Sequence, residues 1–391
     1  MNVKRTASVV IIGGGVMGAS TAYHLAKKGC RDVLLLEREP FFGTQATGKC
    51  AGGIRHQFGT EINVQLSKLS LPMLHRFEEE LGQPIDLNLC GYFFLLTQRE
   101  DVEVFRRTTE MQHRLGVETR WLERSDLAQG GRLSSRMSPI DLSGVLAATF
   151  NPNDGLADPN SVVQGYISGA SQLGASLETD VEVIDILVED GRVQGVVTDQ
   201  GAVSTPAVVN AAGPWAQVIG EMAGLEIPVV PLRRQIVVTG PMPEISDRFP
   251  FVIDFERSLY FHPEGEGLLT GMSNPNETPG FDQSVDRDWE LVHLEAAIER
   301  LPVLEQAGLA SRWAGLYEVS PDAHPILGRV RQPEGFFCIN GFSGHGFMHG
   351  PICGLLLAEE ILDGGAHTLD ISPLHLDRFQ EGAEILEYNV V

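Results

Sequence analysis

Cysteine is scarce in this sequence, and the few residues present form no recognisable site. Five cysteines are spread over 391 residues without a C-x-x-C pair. An odd number at scattered positions does not make a disulfide framework and lacks the ligand spacing of a zinc or iron–sulfur site. The sequence therefore favours a reducing compartment. These residues are Cys30, Cys50, Cys90, Cys338 and Cys353.

Long apolar runs are also absent. No run reaches the roughly 18 residues that a membrane-spanning helix requires. The first ten residues, MNVKRTASVV, lead directly into a predicted strand and leave no room for the apolar core of a signal peptide. We therefore expect a cytoplasmic protein without membrane insertion.

Basic residues are in a clear minority. The chain has 29 Lys and Arg against 52 Asp and Glu, a formal net charge of −23. Such a chain repels nucleic acid and anionic membranes, so neither is an expected partner. Internal repeats and low-complexity tracts are missing as well, and the length favours roughly two domains.

The most informative stretch lies near the amino terminus and reads as a strand–helix–strand unit. The apolar run Val9–Ile12 is typical of a strand that is buried on both faces. A helix is predicted over Ala19–Lys28, with Gly29 at the usual position of a helix-ending glycine. A second apolar run, Val33–Leu36, predicts the next strand.

The turn between the first strand and the helix has the spacing of a dinucleotide-binding motif. Gly13, Gly15 and Gly18 follow G-x-G-x-x-G, and Glu37 stands 19 positions after the last glycine. In this motif the glycines allow a tight turn, backbone approach to a diphosphate and close helix–strand packing, and the acid binds a ribose hydroxyl. Glu37 disfavours NADP, and the motif alone leaves FAD and NAD open.

The rest of the chain predicts an α/β protein with a second, antiparallel sheet. Helices are predicted over Glu61–Leu81, Glu100–Leu115, Asn160–Leu173, Asp286–Leu301 and Pro351–Leu362. Strands are predicted over Gly91–Thr97, Gln235–Thr239, Phe251–Phe255, Ser258–His262, Gly267–Met272 and Gly335–Ile339. A β-meander is predicted over Val181–Asn210, ending in a strand that returns to the nucleotide-binding sheet, and Ser320–Arg329 is predicted as a loop.

Two polar loops supply candidate binding residues. In Gly43–Gly59, Thr44 and Thr47 could contact phosphates, Lys49 could reach one, and Arg55 is the strongest anion-binding group. A second glycine-rich turn, Gly341–Gly350, precedes the last helix and could direct its positive end at a ligand. His345 and His349 have i, i+4 spacing, but glycines interrupt them and no carboxylate is near, so no metal is predicted.

Five motifs in this order resemble the FAD-dependent amino-acid oxidase superfamily, over essentially the whole chain. They are GGGVMG…VLLLE, AGGIRHQFG, VVNAAGPWA, SPDAHPILGR and GFSGHGFM. Within it the sequence is most similar to the sarcosine oxidase and sarcosine/proline dehydrogenase β-subunit group. The resemblance implies a glutathione-reductase-like Rossmann domain (1–85, 150–216 and 320–391) that binds FAD, interleaved with an antiparallel-sheet substrate domain (86–149 and 217–319).

The resemblance also implies the site. Arg55 would bind the substrate carboxylate, and Tyr260, Tyr317 and Met348 would line the substrate pocket. The implied FAD-binding residues are Gly13, Gly15, Val16, Met17, Gly18, Glu37, Arg38, Thr47, Lys49, Gly52, Val183, Ala212, Gly213, Trp215, Gly315, Gly344, His345, Gly346, Phe347 and Met348.

Departures from the family pattern refine this expectation. Gly315 replaces a cysteine that attaches flavin in some members, so FAD should be bound non-covalently. Leu269 replaces a lysine of the members that reduce oxygen, which favours a dehydrogenase over an oxidase. Met348 replaces a second carboxylate-binding lysine, and the segment Leu156–Asn160 lacks the histidine that tethers FMN in some β-subunits.

The implied reaction is oxidation of a small secondary or N-methyl amino acid by hydride transfer to flavin N5. His56 and His262 are candidate bases, but structural roles are favoured for both. The alternatives are a deaminating D-amino acid or glycine enzyme, a 2-hydroxy acid dehydrogenase, and a non-catalytic FAD-containing assembly subunit. A small amino acid is the expected substrate, and an α-subunit or a second copy of the chain is a possible partner.

Overall fold

The computed structural model describes residues 4–128, 139–245 and 248–391. In chain order the strands are β1 (Val9–Ile12), β2 (Val33–Leu36), β3 (Gly53–Ile54), β4 (Tyr92–Leu96), β5 (Arg120–Glu123), β6 (Ala147–Asn151), β7 (Gly155–Leu156), β8 (Ser176–Glu178), β9 (Val183–Glu189), β10 (Arg192–Thr198), β11 (Gly201–Ser204), β12 (Val208–Asn210), β13 (Val230–Thr239), β14 (Phe251–Asp254), β15 (Leu259–Glu264), β16 (Gly267–Met272), β17 (Leu309–Val319), β18 (Ile326–Arg329) and β19 (Phe336–Asn340).

The described strands form four sheets: two large ones, described below as the first and second groups, the three-stranded β11-β10-β9 and the two-stranded β3-β7. The α-helices lie between the strands along the chain. They are α1 (Val16–Lys27), α2 (Glu61–His75), α3 (Phe77–Leu81), α4 (Arg99–Arg114), α5 (Arg124–Ala128), α6 (Pro159–Gln172), α7 (Ala216–Met222), α8 (Arg287–Arg300), α9 (Gly346–Leu362) and α10 (Arg378–Glu381).

The first group forms a six-stranded sheet of the Rossmann type. Its order is β18-β19-β12-β1-β2-β8, with parallel pairs throughout except for the antiparallel edge strand β18. Val9 and Ile11 of β1 pack into the core on the side of α1, whereas Val10 and Ile12 pack into the core on the opposite side. Burial on both faces explains why β1 is apolar at every position.

The second group forms a mixed eight-stranded sheet in the order β17-β13-β16-β15-β14-β4-β6-β5. All of its pairs are antiparallel except the β14–β4 pair. One face packs against α8 around Phe261 and Leu268, and the other carries Tyr260 and Ile236. The predicted fold class is confirmed, and the domain bounds, which include residues 1–3, 129–138 and 246–247 outside the described part, stay a prediction.

Most predicted elements are present within a few residues, and Val208–Asn210 pairs with β1 as expected. Two predictions are wrong, and one long strand is not predicted. The segment Glu61–Leu81, predicted as one helix, forms two helices that meet at Arg76. Ser320–Arg329, predicted as a loop, contains strand β18. The 11-residue strand β17 is not predicted, and it lacks a clear polar–apolar alternation.

Helix α9 also begins earlier than its sequence indicates. Proline is common at the first position of a helix, so Pro351 predicts the start there. In the structure α9 starts at Gly346 and includes Pro351 in its second turn. Gly346, Phe347 and Met348 therefore belong to a helix amino terminus and not to a glycine-rich turn. No helix of the described residues is long and apolar enough to cross a membrane.

Candidate functional site

One cavity is lined by residues of both large sheets. The glycine turn after β1, the carboxyl end of β2 and the amino terminus of α9 reach it from the six-stranded sheet. Strands β4, β13, β14, β15 and β17 reach it from the eight-stranded sheet. Every site residue predicted from the sequence lines this cavity except Gly18 and His345.

The amino-terminal turn is held by close backbone contacts. Gly13 has a φ of +110°, and a Cβ there would lie 2.4 Å from the Ala211 carbonyl oxygen. A Cβ on Gly18 would lie 1.9 Å from the Gly13 carbonyl oxygen, so Gly18 allows α1 to pack on the turn. Gly18 is therefore a packing residue and does not contact the cavity, which corrects its assignment as a binding residue.

The same turn presents the amino terminus of α1 to the cavity. Gly15, Val16 and Met17 line the wall, and no acidic residue lies in the first turn of the helix. The Val16 N–H donates to Oγ1 of Thr47 at 3.2 Å, and this hydrogen bond fixes the loop after β2 against the helix. Unneutralised helix amino termini of this kind are suited to anions such as a diphosphate.

Glu37 is fixed at the carboxyl end of β2. Its Oε2 accepts a hydrogen bond from the Gly14 N–H at 2.7 Å, and its Oε1 accepts one from the Glu39 N–H at 2.9 Å. Since each carboxylate oxygen can accept a second bond, Glu37 can still bind a hydroxyl in the cavity. Next to it, the guanidinium of Arg38 lies 4.0 Å from the ring centroid of Trp215.

The amino terminus of α9 forms another part of the wall. Gly344 has a φ of +96°, and a Cβ there would lie 2.5 Å from the ring of Tyr317. Gly346, Phe347 and Met348 line the cavity, and the first turn of α9 carries no acidic residue. This positive helix end is available to a group that gains negative charge on reduction.

His345 lies behind this wall and not on it, which corrects its assignment as a cofactor contact. Its Nε2 is 3.0 Å from the Ala323 carbonyl oxygen, and its Nδ1 is 3.2 Å from Nδ1 of His349. The other ring nitrogen of His349 is 2.9 Å from Oγ of Ser67. Burial lowers the pKa of His345 to about 3, so the imidazole is neutral at neutral pH.

The two histidines are thus tied into a hydrogen-bond chain. Among the residues that the structure describes, no group of three or more His, Cys, Asp or Glu residues could hold a metal ion.

Arg55 is buried at the other end of the cavity, with 4% of its surface exposed. Its Nη1 donates to the Gln57 carbonyl, and its Nη2 donates to the Asn389 carbonyl at 2.6 Å. Its Cζ lies 3.8 Å from the ring centroid of Phe58. No described carboxylate forms an ion pair with it, and a guanidinium has five N–H donors, so donors remain for a ligand.

Buried tyrosines face Arg55 from the eight-stranded sheet. Tyr92, Tyr260 and Tyr317 line the cavity, and burial raises the pKa of each phenol, so all three are neutral donors. Gly271, opposite Tyr260 in the sheet, makes room for the phenol, because a Cβ there would lie 2.2 Å from the Tyr260 oxygen. This end of the cavity therefore combines a buried cation with apolar walls and hydroxyl groups.

Three charged residues of this cavity escape prediction from the sequence: Glu182, Arg234 and Glu318. Arg234 is on β13, and its Cζ lies 5.1 Å from the ring centroid of Tyr317. Glu318, on β17, accepts a hydrogen bond from the Gly341 N–H at 3.1 Å, and burial raises the pKa of its carboxyl to about 7. The sequence offers one signal for Arg234: it lies two positions before Ile236, so the two side chains are on the same face of the strand. Ile236 also lines the cavity.

The remaining candidates are placed as follows. Lys49 lines the cavity but donates its ammonium hydrogen bond to Gln283. His56 faces away from the cavity, with Nδ1 2.7 Å from Oδ1 of Asp154. Nδ1 of His262 lies 2.8 Å from the Pro263 carbonyl oxygen, and burial lowers its pKa to about 4. Neither histidine lines the cavity, in keeping with the structural roles favoured for them.

A Rossmann-type sheet and a mixed sheet line one cavity, which is the arrangement of a dinucleotide-binding fold with a second sheet over the ligand. Residues 8–360 match the model of the family described as FAD dependent oxidoreductase, and the chain belongs to that family. The predicted superfamily and the class of enzyme, an oxidoreductase, are thereby confirmed.

Relatives of known identity match more than nine tenths of the chain. The structure of L-proline dehydrogenase from P. horikoshii is 32% identical, with a TM-score of 0.89, over 98% of this chain and 100% of that chain. Mitochondrial sarcosine dehydrogenase of Homo sapiens is 34% identical over 95% of this chain and 42% of its own length. Mitochondrial dimethylglycine dehydrogenase of Mus musculus is 32% identical over 92% of this chain and 43% of its own length. The chain thus spans less than half of these two dehydrogenases.

The residues present fit the cofactor of the family. The amino terminus of α1 lines the cavity, Glu37 retains acceptor capacity for a ribose hydroxyl, and α9 offers a second positive helix end. These are the groups that a diphosphate, a ribose and a reducible ring require.

Proposed function

We propose that this chain oxidises the C–N bond of a small secondary or N-methyl amino acid of the sarcosine, dimethylglycine or proline type, with FAD bound non-covalently. The single observation that supports this best is Arg55, a buried guanidinium without a described carboxylate partner in the cavity that also contains the dinucleotide turn. The names of relatives, sarcosine, dimethylglycine and L-proline dehydrogenase, agree with this substrate class.

In the proposed reaction Arg55 pairs with the substrate carboxylate through two N–H groups and so fixes the carbon that loses hydride. FAD, when bound, accepts that hydride at N5. Tyr260 and Tyr317, which are neutral because they are buried, can donate hydrogen bonds to the substrate or exclude water from it. The amine reacts in its neutral form, and the resulting imine is hydrolysed by water.

No residue of the cavity is required as a general base in this mechanism. His56 and His262, the candidate bases, lie outside the cavity lining, so neither is assigned a proton transfer. Met348 lines the cavity where a lysine would add a second cation, so Arg55 would bind the carboxylate with fewer partners.

Two further features belong to the proposal. Gly315 lines the cavity and offers no thiol for covalent attachment of the flavin. Leu269 is buried on the cavity side of the eight-stranded sheet and supplies no cation, which favours a dehydrogenase over an oxidase. The cytoplasmic location and the α-subunit or second copy as partner stay predictions.

The test is anaerobic reduction of the purified holoenzyme. Sarcosine, dimethylglycine, proline, a D-amino acid, glycine and a 2-hydroxy acid are mixed separately with the protein, and the flavin absorbance is followed. Bleaching by one of the first three supports the proposal. Bleaching only by the others favours the deaminating or hydroxy acid alternatives, and no bleaching favours a non-catalytic subunit. Release of all the flavin on acid precipitation tests non-covalent binding.

A further inference from the structure

Arg234 is a second cation in the cavity; the residue is half-buried, and its Nε is fully buried. It pairs with Gly315 in the β13–β17 ladder, and its guanidinium lies 5.1 Å from the ring centroid of Tyr317. Tyr317 also lies within electrostatic reach of Arg55. The same phenol is therefore flanked by two guanidinium groups that come from distant parts of the chain.

The charge of Arg234 is not compensated by the protein. Its Nη1 donates to the Arg233 carbonyl at 3.0 Å, and its Nε is buried without a hydrogen-bond partner among the described residues. The nearest carboxylate that acts on it is Glu277, whose two oxygens already accept bonds from the side chain of Arg233, at 3.1 and 3.2 Å. A buried donor on a charged group that lacks a partner is costly, so this one is poised for an anion.

The adjacent residue shows the contrast. Arg233 points to the other side of β13 and forms ion pairs with Glu277 and with Asp282, the latter at 2.9 Å. Arg234, one position on, has no ion pair with any described carboxylate. Arginine stays charged even where burial lowers its pKa, so both Arg55 and Arg234 are positively charged before a ligand enters.

A substrate with one carboxylate would neutralise only one of them. We propose that Arg234 binds a second carboxylate of the substrate, so that the preferred amino acid is a secondary amine with two carboxylates, of the iminodiacetate type. This inference rests on the proposed function and deepens it, because Arg55 holds the carboxylate next to the reacting carbon and Arg234 selects the substituent on the other side of the nitrogen.

The experiment compares ligands that differ only in the second carboxylate. Thiodiacetate and (methylthio)acetate replace the amine by sulfur, so each can be titrated into the oxidised holoenzyme and followed by the flavin spectrum. We expect the wild type to bind thiodiacetate more tightly. In Arg234→Met the Kd of thiodiacetate should rise by about 30-fold or more, whereas that of (methylthio)acetate should change by less than about threefold.

Two other variants test whether the effect is specific to the charge of Arg234. Arg234→Lys keeps the charge and should retain part of the preference for thiodiacetate over (methylthio)acetate. It therefore tests the inference even if Arg234→Met does not fold. Arg312→Met is the matched control, because Arg312 is on the neighbouring strand β17 and forms an ion pair with Glu290 away from the cavity. The control should leave both Kd values unchanged.

Other outcomes would overturn the inference. The first is that the wild type binds thiodiacetate no more tightly than (methylthio)acetate. The second is that Arg234→Met weakens the binding of both ligands equally. The third is that Arg234→Met lowers the flavin midpoint potential and does not change the discrimination between the ligands. The last would assign Arg234 to the reduced flavin. If sarcosine or proline reduces the flavin but the ligands are not discriminated, only this inference fails. If neither they nor iminodiacetate reduces it, the proposed function fails.

Discussion

The two ends of the cavity are built in different ways. The nucleotide end is built around one short stretch, from Gly13 to Thr47, which contributes a helix amino terminus, glycine contacts and a single carboxylate. The substrate end collects Arg55, Arg234, Tyr260 and Tyr317 from separate strands and loops, and acts through side chains. Local chemistry therefore determines the first end, and tertiary packing determines the second.

The largest effect is expected where the nucleotide end depends on close backbone contact. A Cβ at position 18 would lie 1.9 Å from the Gly13 carbonyl oxygen, which is backbone and cannot move aside as the end of a flexible side chain could. Gly18→Val should lower the free energy of unfolding by at least about 4 kcal/mol and abolish FAD retention. Urea unfolding and the flavin-to-protein absorbance ratio measure the two effects.

Gly365→Ala is the control for this variant, because a Cβ at position 365 would meet nothing within 4 Å. It should retain FAD and stability. A Gly18→Val protein with normal flavin content would show that the nucleotide end tolerates side chains there, and would remove the distinction between the two ends.

The next effect concerns the substrate end. Arg55→Met removes the guanidinium but keeps a long apolar side chain next to Phe58. We expect kcat/KM for the best amine substrate to fall more than about 100-fold, which corresponds to about 3 kcal/mol of lost transition-state binding. The FAD content should be unchanged, because Arg55 takes no part in the dinucleotide turn. Steady-state kinetics with a dye acceptor and the flavin spectrum test both expectations.

Normal turnover of Arg55→Met would exclude carboxylate binding by this residue. Loss of FAD together with activity would mean that the two ends are not independent. Arg55→Lys distinguishes charge from geometry, because lysine keeps the charge but lacks the planar fork that binds a carboxylate through two donors.

The sequence predicts the nucleotide end well, since all of its determinants are close together in the chain. Strands β1 and β2 have the predicted bounds, and Glu37 lies where the motif requires. Gly18 and His345 are predicted as cofactor contacts because they lie within binding motifs. In the structure Gly18 packs against the backbone of Gly13, and the side chain of His345 points to the Ala323 carbonyl. A motif fixes the backbone, and which side chains face the ligand depends on how the helix packs.

The substrate end is predicted only in part. Arg55, Tyr260 and Tyr317 follow from the family resemblance, and the structure places all three on the cavity. Arg234 follows from neither the resemblance nor the local pattern, because its exposure to the cavity is decided by the register of β13 against β17. A pairing between residues some 80 positions apart leaves no local signal in a single sequence.

A third effect tests the buried carboxyl at the boundary between the ends. Burial raises the pKa of Glu318 from 4.5 to about 7, against the opposing hydrogen bonds from Gly341 and Phe342. Because the folded pKa is raised, the stabilisation is complete below pH 4.5 and is lost as the pH rises to about 7. Relative to wild type, Glu318→Gln should gain roughly 3 kcal/mol of unfolding free energy over this range, because each pKa unit corresponds to about 1.4 kcal/mol.

Urea unfolding of the holoenzyme at several pH values gives the comparison directly. Other groups titrate in the same range, so the relevant quantity is the difference between wild type and Glu318→Gln at each pH. Parallel stability curves would contradict the assignment, since they would mean that Glu318 has the same pKa in the folded and unfolded states.

The smallest effect concerns the one cation at the nucleotide end that is stacked on an aromatic ring. The guanidinium of Arg38 lies 4.0 Å from the Trp215 ring, and both residues line the cavity. A cation–π contact of this kind contributes about 1 kcal/mol. If its role is to order Trp215, Arg38→Gln should raise the Kd of FAD by only about fivefold. Titration of the apoprotein with FAD, followed by flavin fluorescence, measures this.

Arg31→Gln is a suitable control, because Arg31 is exposed and does not line the cavity. It should leave the Kd of FAD unchanged. A 100-fold loss of affinity in Arg38→Gln would be inconsistent with an ordering role and would mean that the guanidinium binds the diphosphate itself. The nucleotide end would then depend on side-chain charge, as the substrate end does. A small effect would instead leave backbone N–H groups as the main source of diphosphate binding.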